Sequence, residues 1–288
     1  MKIDSYEKRI KPMNPIQNKA ERIREQLKNK ELLIGAHVFY NDAAITETFG
    51  YMGFDYVWID GEHCAFDKQS LLHHIVGAYA GGTTSIVRVA WNDPVLIKPV
   101  LEMGPDGIIL PMVCTAEEAR KAVEACSYPS AVAGNGTTKG KCWSKYNGIR
   151  GFGPRRANQY GALSNEEYLK DVDKSFLRFV QIEHKTAIEN LEEIIQTPGL
   201  DAIIVGPNDL SGSYGYLGDV HNPFMQNVYN EIADICKRRN FPFGVSIGSD
   251  KDFIKEWKNR GAQLISCADD ISSINLCSTE VLNFTRSL

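Results

Sequence analysis

The chain has 288 residues, of which 43% are hydrophobic, and a formal net charge of −4, so it can bury one large core or two small ones. That mild acidity gives no electrostatic reason to expect nucleic acid or an anionic membrane as partner. No apolar run approaches the ~18–20 residues that a membrane-spanning helix needs, and the charged N-terminus (MKIDSYEKRIKPMNPIQNKAERIREQLKNK) lacks the apolar centre of a signal peptide, so a cytoplasmic protein is expected.

In chain order, residues 1–30 read as an extension, with a charged amphipathic helix over 18–30 that puts Ala20, Ile23 and Leu27 on one face. A regular alternation follows over residues 31–288. Short runs rich in Ile and Val recur at 32–39, 56–60, 84–89, 107–111, 178–183, 202–206, 243–247 and 263–267. Their near-continuous apolarity suits parallel strands covered on both faces. Helix-period segments fall between them. Asp93-Pro94 opens one, as a cap and first helical residue should, and Thr115-x-x-Glu118 is a capping box. A third helix is expected over 184–199, and a helix at the C-terminus. About eight βα units in a row predict a single (β/α)₈ barrel. A doubly wound open sheet is the alternative, and the lack of G-x-G-x-x-G after the first strand tilts the choice to the barrel. Residues 127–163 break the pattern, with one irregular strand expected around 148–153.

The seven cysteines show no metal-binding spacing, and their odd count fits reduced thiols. Cys64 is expected to pack as a small apolar residue.

Barrel chemistry sits where strands end. The second run ends in Asp60-Gly61-Glu62-His63, the third in Arg88, the fifth in Gln181 and Glu183, and the sixth in Gly206-Pro207-Asn208-Asp209. Glu183 and Asp209, on neighbouring strand ends, make a hard-oxygen pair for a divalent cation such as Mg²⁺ or Mn²⁺, with coordination positions left for water and an oxyacid. Such an ion polarises a 2-oxo group. The turn from Gly206 to Asp209 offers backbone amides to a substrate carboxylate. Arg88 supplies a planar cationic fork, and His63 is the natural base near neutral pH. Each residue alone has a structural reading, as a cap or an ion pair; their convergence favours function. No strand end carries a lysine for a Schiff base.

These residues, within GFDYVWIDGEH (53–63), IVRVAWNDPVLIKPVLEMG (86–104), GIRGFGPRRANQYG (148–161), VQIEHKTAIENLEEI (180–194) and GPNDLSGSYGYLGD (206–219), resemble the HpcH/HpaI aldolase family. The resemblance runs in order over roughly residues 31–270. It implies a barrel of the phosphoenolpyruvate/pyruvate superfamily that takes a small-molecule 2-oxo acid and an aldehyde. It further implies a divalent metal (Mg²⁺ or Mn²⁺, with Co²⁺ and Zn²⁺ as further candidates) and a homo-oligomer, commonly a hexamer with an exchanged helix. It assigns His63 as proton acceptor and Arg88 as the group holding the oxo acid and its enolate. Gln181, Asn208 and Asp209 contact substrate, and Glu183 and Asp209 bind the metal. Glu102 falls where the family carries the Asp that raises the basicity of the histidine, and Asp60 is the other candidate to orient it.

The expected reaction is cleavage of a 4-hydroxy-2-oxo acid to pyruvate and an aldehyde. The alternatives are decarboxylation of an oxaloacetate-like diacid or a lyase acting on a specialised metabolite, and, remotely, a non-catalytic metabolite-binding barrel. Where the family passes from Tyr-Pro almost directly to Gly-Ile-Arg-Gly, this chain inserts residues 130–147. Lys139, Lys141, Trp143, Lys145 and Tyr146 there form either a substrate lid or a surface or subunit-contact loop.

Overall fold

The computed structural model describes residues 15–130 and 143–288. Eight parallel strands close on themselves in sequence order: β1 (Leu33–Val38), β2 (Tyr56–Asp60), β3 (Thr84–Arg88), β4 (Gly107–Leu110), β5 (Leu177–Ile182), β6 (Ala202–Val205), β7 (Phe243–Ser246) and β8 (Leu264–Asp269). Each lies inside, or within two residues of, one of the eight apolar runs. The helices between them are α2 (Ala43–Tyr51), α3 (Lys68–Ala80), α4 (Pro94–Glu102), α5 (Ala116–Cys126), α6 (Asn165–Lys170), α7 (Lys185–Glu189), α8 (Leu191–Ile194), α9 (Pro207–Ser213), α10 (Pro223–Arg239) and α11 (Lys251–Arg260). α1 (Pro15–Lys28) precedes the barrel and α12 (Asp270–Arg286) follows it. The fold is a single (β/α)₈ barrel. No helix among the described residues is long and apolar enough to cross a membrane.

Two apolar layers hold the barrel. The outer layer lies between strands and helices, with Val57, Ile59, Val87, Ile108 and Val205 meeting Ile75, Ile97, Leu191 and Ile232. The inner layer fills the barrel with Trp58, Ile86, Ile109, Phe179 and Ile204. α1 belongs to this inner layer. Its buried face of Ala20, Ile23 and Leu27 packs on Leu33, Tyr56, Leu177, Ala202 and Leu264 at the strand starts. Arg24 anchors it through a paired contact with Asp201 (2.7 and 3.1 Å) and a bond to the Lys174 carbonyl at 2.5 Å. The helix read from sequence as an extension is therefore the plug of the N-terminal end. Its amphipathic spacing was visible, and the surface waiting for it was not.

Other differences are local. The helix expected over 184–199 breaks into α7 and α8 at Asn190, whose backbone leaves the helical region (φ −106°, ψ 8°) and whose amide donates to the Cys114 carbonyl at 3.0 Å. No strand forms around 148–153. Gly148, Ile149 and Arg150 instead donate backbone bonds to Tyr128, Glu124 and Ser127 at the end of α5. The expected capping box of α5 is present.

Candidate active site

The C-terminal end of the barrel collects the charged residues. β2 and β3 place Asp60 and Arg88 side by side in register. Arg88 Nε donates to Asp60 Oδ1 at 3.0 Å and Nη2 to Oδ2 at 2.5 Å, a fork-on-carboxylate pairing that fixes the guanidinium plane. The Trp58 ring lies 5.2 Å beneath it. Asp60 also accepts the backbone N–H groups of Glu62 and His63, at 2.9 and 3.3 Å, which shapes the loop that carries His63. Burial alone would raise the Asp60 carboxyl, but the nearby His37 ring and the two bonds from Arg88 overcome it and hold Asp60 well below the usual carboxylate range.

Arg88 Nη1 turns outward to Glu62 Oε2 at 2.9 Å and Gln181 Oε1 at 3.4 Å. Gln181 Nε2 in turn donates to Glu183 Oε2 at 2.5 Å. The other oxygen, Oε1, accepts the N–H of Met112 at 2.7 Å. Met112 holds a left-handed backbone (φ 53°), which costs a non-glycine residue of order 1–3 kcal/mol and is found chiefly at functional sites. Gly206 leaves room for this pairing, because a Cβ would stand 2.6 Å from Gln181 Nε2 and 2.8 Å from Glu183 Oε2 and push the two groups aside. Asp209 follows on the exposed first turn of α9.

Burial, reinforced by Glu62 and Asp209, raises the Glu183 carboxyl to about 7. Glu62 is raised too, by burial first. Glu62, Glu183 and Asp209 line one cavity together with His63, with a single guanidinium beside them. A divalent cation relieves such carboxylate crowding, so the donor set fits one. Among the described residues no group of three or more His, Cys, Asp or Glu encloses an ion unaided; a cation held by Glu183 and Asp209 would take its remaining ligands from water or a bound oxyacid.

Of the residues named from sequence, Asp60, Arg88, Gln181 and Glu183 form one connected network. His63, Gly206, Pro207, Asn208 and Asp209 border the mouth cavity with Arg88 and Gln181. The His63 side chain is 60% exposed, with Glu62 Oε2 at 4.0 Å. Glu102 is not brought to it within the chain. It ends α4 on the outer wall, 3.7 Å from Arg150 and facing a separate cavity with Lys98 and Arg155. Pro207 has no N–H, so the turn before α9 offers fewer amides than its spacing suggests. Burial pushes the Cys64 thiol up to about 12, as suits a packing residue.

The described end of the insertion is stitched to the outer wall. Ser144 Oγ donates to Asp173 Oδ1 at 2.8 Å, the Lys145 N–H to Asp173 Oδ2 at 3.0 Å, and Trp143 packs against the Tyr128–Tyr168 cluster. Lys139 and Lys141 lie outside the described residues.

His37 is not among the residues that the sequence analysis singles out. The signal was a polar residue near the end of an apolar strand, the same signal that marked Arg88. Met112 contributes only its backbone, which no side-chain pattern reveals.

The HpcH/HpaI aldolase/citrate lyase family model matches residues 33–275. A 2-dehydro-3,6-dideoxy-6-sulfogluconate aldolase from Pseudomonas putida is 32% identical over 257 residues, 89% of this chain and 93% of that protein. A 5-keto-4-deoxy-D-glucarate aldolase from Enterobacter sp. (strain 638) is 30% identical over 245 residues, 84% and 88% of the two chains. A HpcH/HpaI aldolase/citrate lyase family protein from Burkholderia cenocepacia J2315 shares the fold, with a TM-score of 0.82 at 24% identity over 92% of this chain and 99% of that one. The chain belongs to the HpcH/HpaI aldolase/citrate lyase family, a family of carbon–carbon lyases.

Proposed function

We propose that the protein is a divalent-cation-dependent aldolase that cleaves a 4-hydroxy-2-oxo acid to pyruvate and an aldehyde. The observation that carries this is the Arg88–Gln181–Glu183 network, one fixed cation linked through Gln181 to one buried carboxylate raised to about 7, at the ends of β3 and β5. A cation on Glu183 and Asp209 supplies Lewis-acid polarisation of the 2-oxo group.

The chain's own groups do the rest. Arg88, locked by Asp60, holds the oxo-acid end and stabilises the negative charge that develops as the bond breaks. His63, open to the mouth, accepts the proton of the 4-hydroxyl. The C3–C4 electrons pass into the C2–C3 enolate, the aldehyde departs, and C3 is then protonated to give pyruvate. Gln181 keeps the Glu183 carboxylate and the Arg88 fork in a fixed relation.

We further propose that the active form is a homo-oligomer. α12 leaves Ile274, Leu276, Val281, Leu282 and Phe284 exposed, more apolar surface than one terminal helix retains without a partner. A second copy of the chain is the occupant expected from the family.

The test is pyruvate release, coupled to lactate dehydrogenase, from a panel of 4-hydroxy-2-oxo acids with Mg²⁺ or Mn²⁺. Release from at least one supports the reading. Oxaloacetate turnover with no aldehyde formed from any panel member replaces it with the decarboxylase alternative. Inertness toward the whole set leaves a binding barrel.

A further inference from the structure

One wall of the mouth takes no part in the chemistry above. His37, Ser246 and Asp269, at the ends of β1, β7 and β8, line the same cavity as His63 and Arg88. His37 and Asp269 stand opposite each other in the β1–β8 register. The His37 ring is 6% exposed, stacked 4.3 Å from Phe39 and tilted against Trp58 at 4.7 Å, so its orientation is fixed. Its Nε2 lies 3.3 Å from Asp60 Oδ2, a long and off-line contact. Its Nδ1 lies 3.2 Å from Ser246 Oγ.

The proton inventory follows from these partners. The ring is enclosed between Phe39 and Trp58, burial disfavours its charged form, and the neutral ring carries one N–H. Asp60 can only accept, so that N–H belongs on Nε2. Nδ1 is then a lone pair, and Ser246 must donate its only proton to it. With its proton committed, Ser246 Oγ offers the cavity acceptor lone pairs alone. Asp269 Oδ1 accepts the Ser272 N–H at 2.6 Å, capping α12. Its Oδ2 borders Gly248, where an added Cβ would stand 3.5 Å away. Asp250, paired with His221 at 3.0 Å, adds a second carboxylate to this side of the mouth.

We propose that Ser246 and Asp269 bind a hydroxyl group on the aldehyde half of the substrate, with His37 as the positioning residue that turns the Ser246 hydroxyl into an acceptor. This rests on the aldolase reading. Asp250 and Asp269 repel a second carboxylate at the same place, so the wall selects a hydroxylated aldehyde both by attraction and by exclusion.

The experiment condenses pyruvate with glycolaldehyde, propanal or succinic semialdehyde in the presence of Mg²⁺, following pyruvate loss. The expected kcat/KM for glycolaldehyde exceeds that for either of the others by at least about tenfold, as loss of a buried hydrogen-bond partner implies. Ser246→Ala brings the glycolaldehyde-to-propanal ratio toward one. Asp269→Asn, whose amide still caps α12, lowers it several-fold. His37→Phe keeps the ring stack and also lowers the ratio; should it not fold, the other two variants decide. A merely structural role slows both aldehydes alike and leaves the ratio unchanged, and that result overturns the proposal, as does a preference for succinic semialdehyde. Exchange of pyruvate methyl protons in D₂O by the unaltered protein is read in parallel. Exchange with the wrong preference sinks this inference alone, and no exchange removes it together with the aldolase reading.

Discussion

At the N-terminal end of the barrel, Ile23 and Leu27 of α1 close against Leu33, Tyr56 and Leu264. At the C-terminal end, Asp60, Arg88, Gln181 and Glu183 are buried as deeply, but among charges and under a strained Met112. The same strands thus run from an end that only stabilises to an end that stores unfavourable interactions. Burying Ile and Leu side chains contributes roughly 1.5–3 kcal/mol each, whereas a carboxylate beside two others is an expense that only a ligand or a reaction justifies. The contrast separates residues whose loss costs stability from residues whose loss costs activity.

The largest effect belongs to the charged end. Arg88→Lys keeps the charge but loses the fork on Asp60 and the reach to Gln181, and kcat/KM for pyruvate formation is expected to fall about 10²–10³-fold with little change in melting temperature. Steady-state kinetics and a thermal melt on the same sample check both halves. Ile23→Ala attacks the opposite end. It is expected to lower unfolding free energy by about 2–5 kcal/mol with kcat unchanged in the folded fraction, read from urea unfolding and activity at low temperature. A loss of kcat with no loss of stability there would break the division between the ends.

The wall between the ends supplies a pH test. Burial lowers His74 to about 4, and its Nδ1 faces Thr46 Oγ1 at 2.7 Å. A lowered histidine stabilises the fold above its unfolded value of ~6.5 and loses that contribution as pH falls toward its folded value. Between pH 7 and pH 5 this group alone is expected to remove about 2 kcal/mol of stability, and His74→Gln, which keeps an acceptor for Thr46, is expected to flatten that part of the slope. The smallest stability effect has the opposite sign to most substitutions. Glu183→Gln removes a crowded carboxylate, so at neutral pH the cation-free protein is expected to gain about 1 kcal/mol while its activity disappears.

The fold was legible because parallel strands covered on both faces must be apolar throughout, and each of the eight runs carries that mark. The barrel also directs attention to strand ends, which is how Asp60, Arg88, Gln181 and Glu183 stood out before their contacts were visible. What stayed hidden depended on partners distant in sequence. α1 showed its apolar stripe but not the strand starts it plugs. Met112 acts through an N–H that every residue but proline possesses. His37 becomes informative only when Asp60 and Ser246 are seen on either side of its ring. Glu102 shows the converse, since a position matched by resemblance lies on the outer wall, facing Arg150 and not His63 within the chain.

We propose that the charged end, with a divalent cation, enolises a 2-oxo acid. The most direct measurement is ¹H NMR of pyruvate methyl exchange in D₂O, with protein first stripped by a chelator and then given Mn²⁺-free Mg²⁺. Exchange is expected only after the cation is restored, and none with Glu183→Gln. Exchange at the full rate in the stripped protein, or its survival in Glu183→Gln, would contradict it.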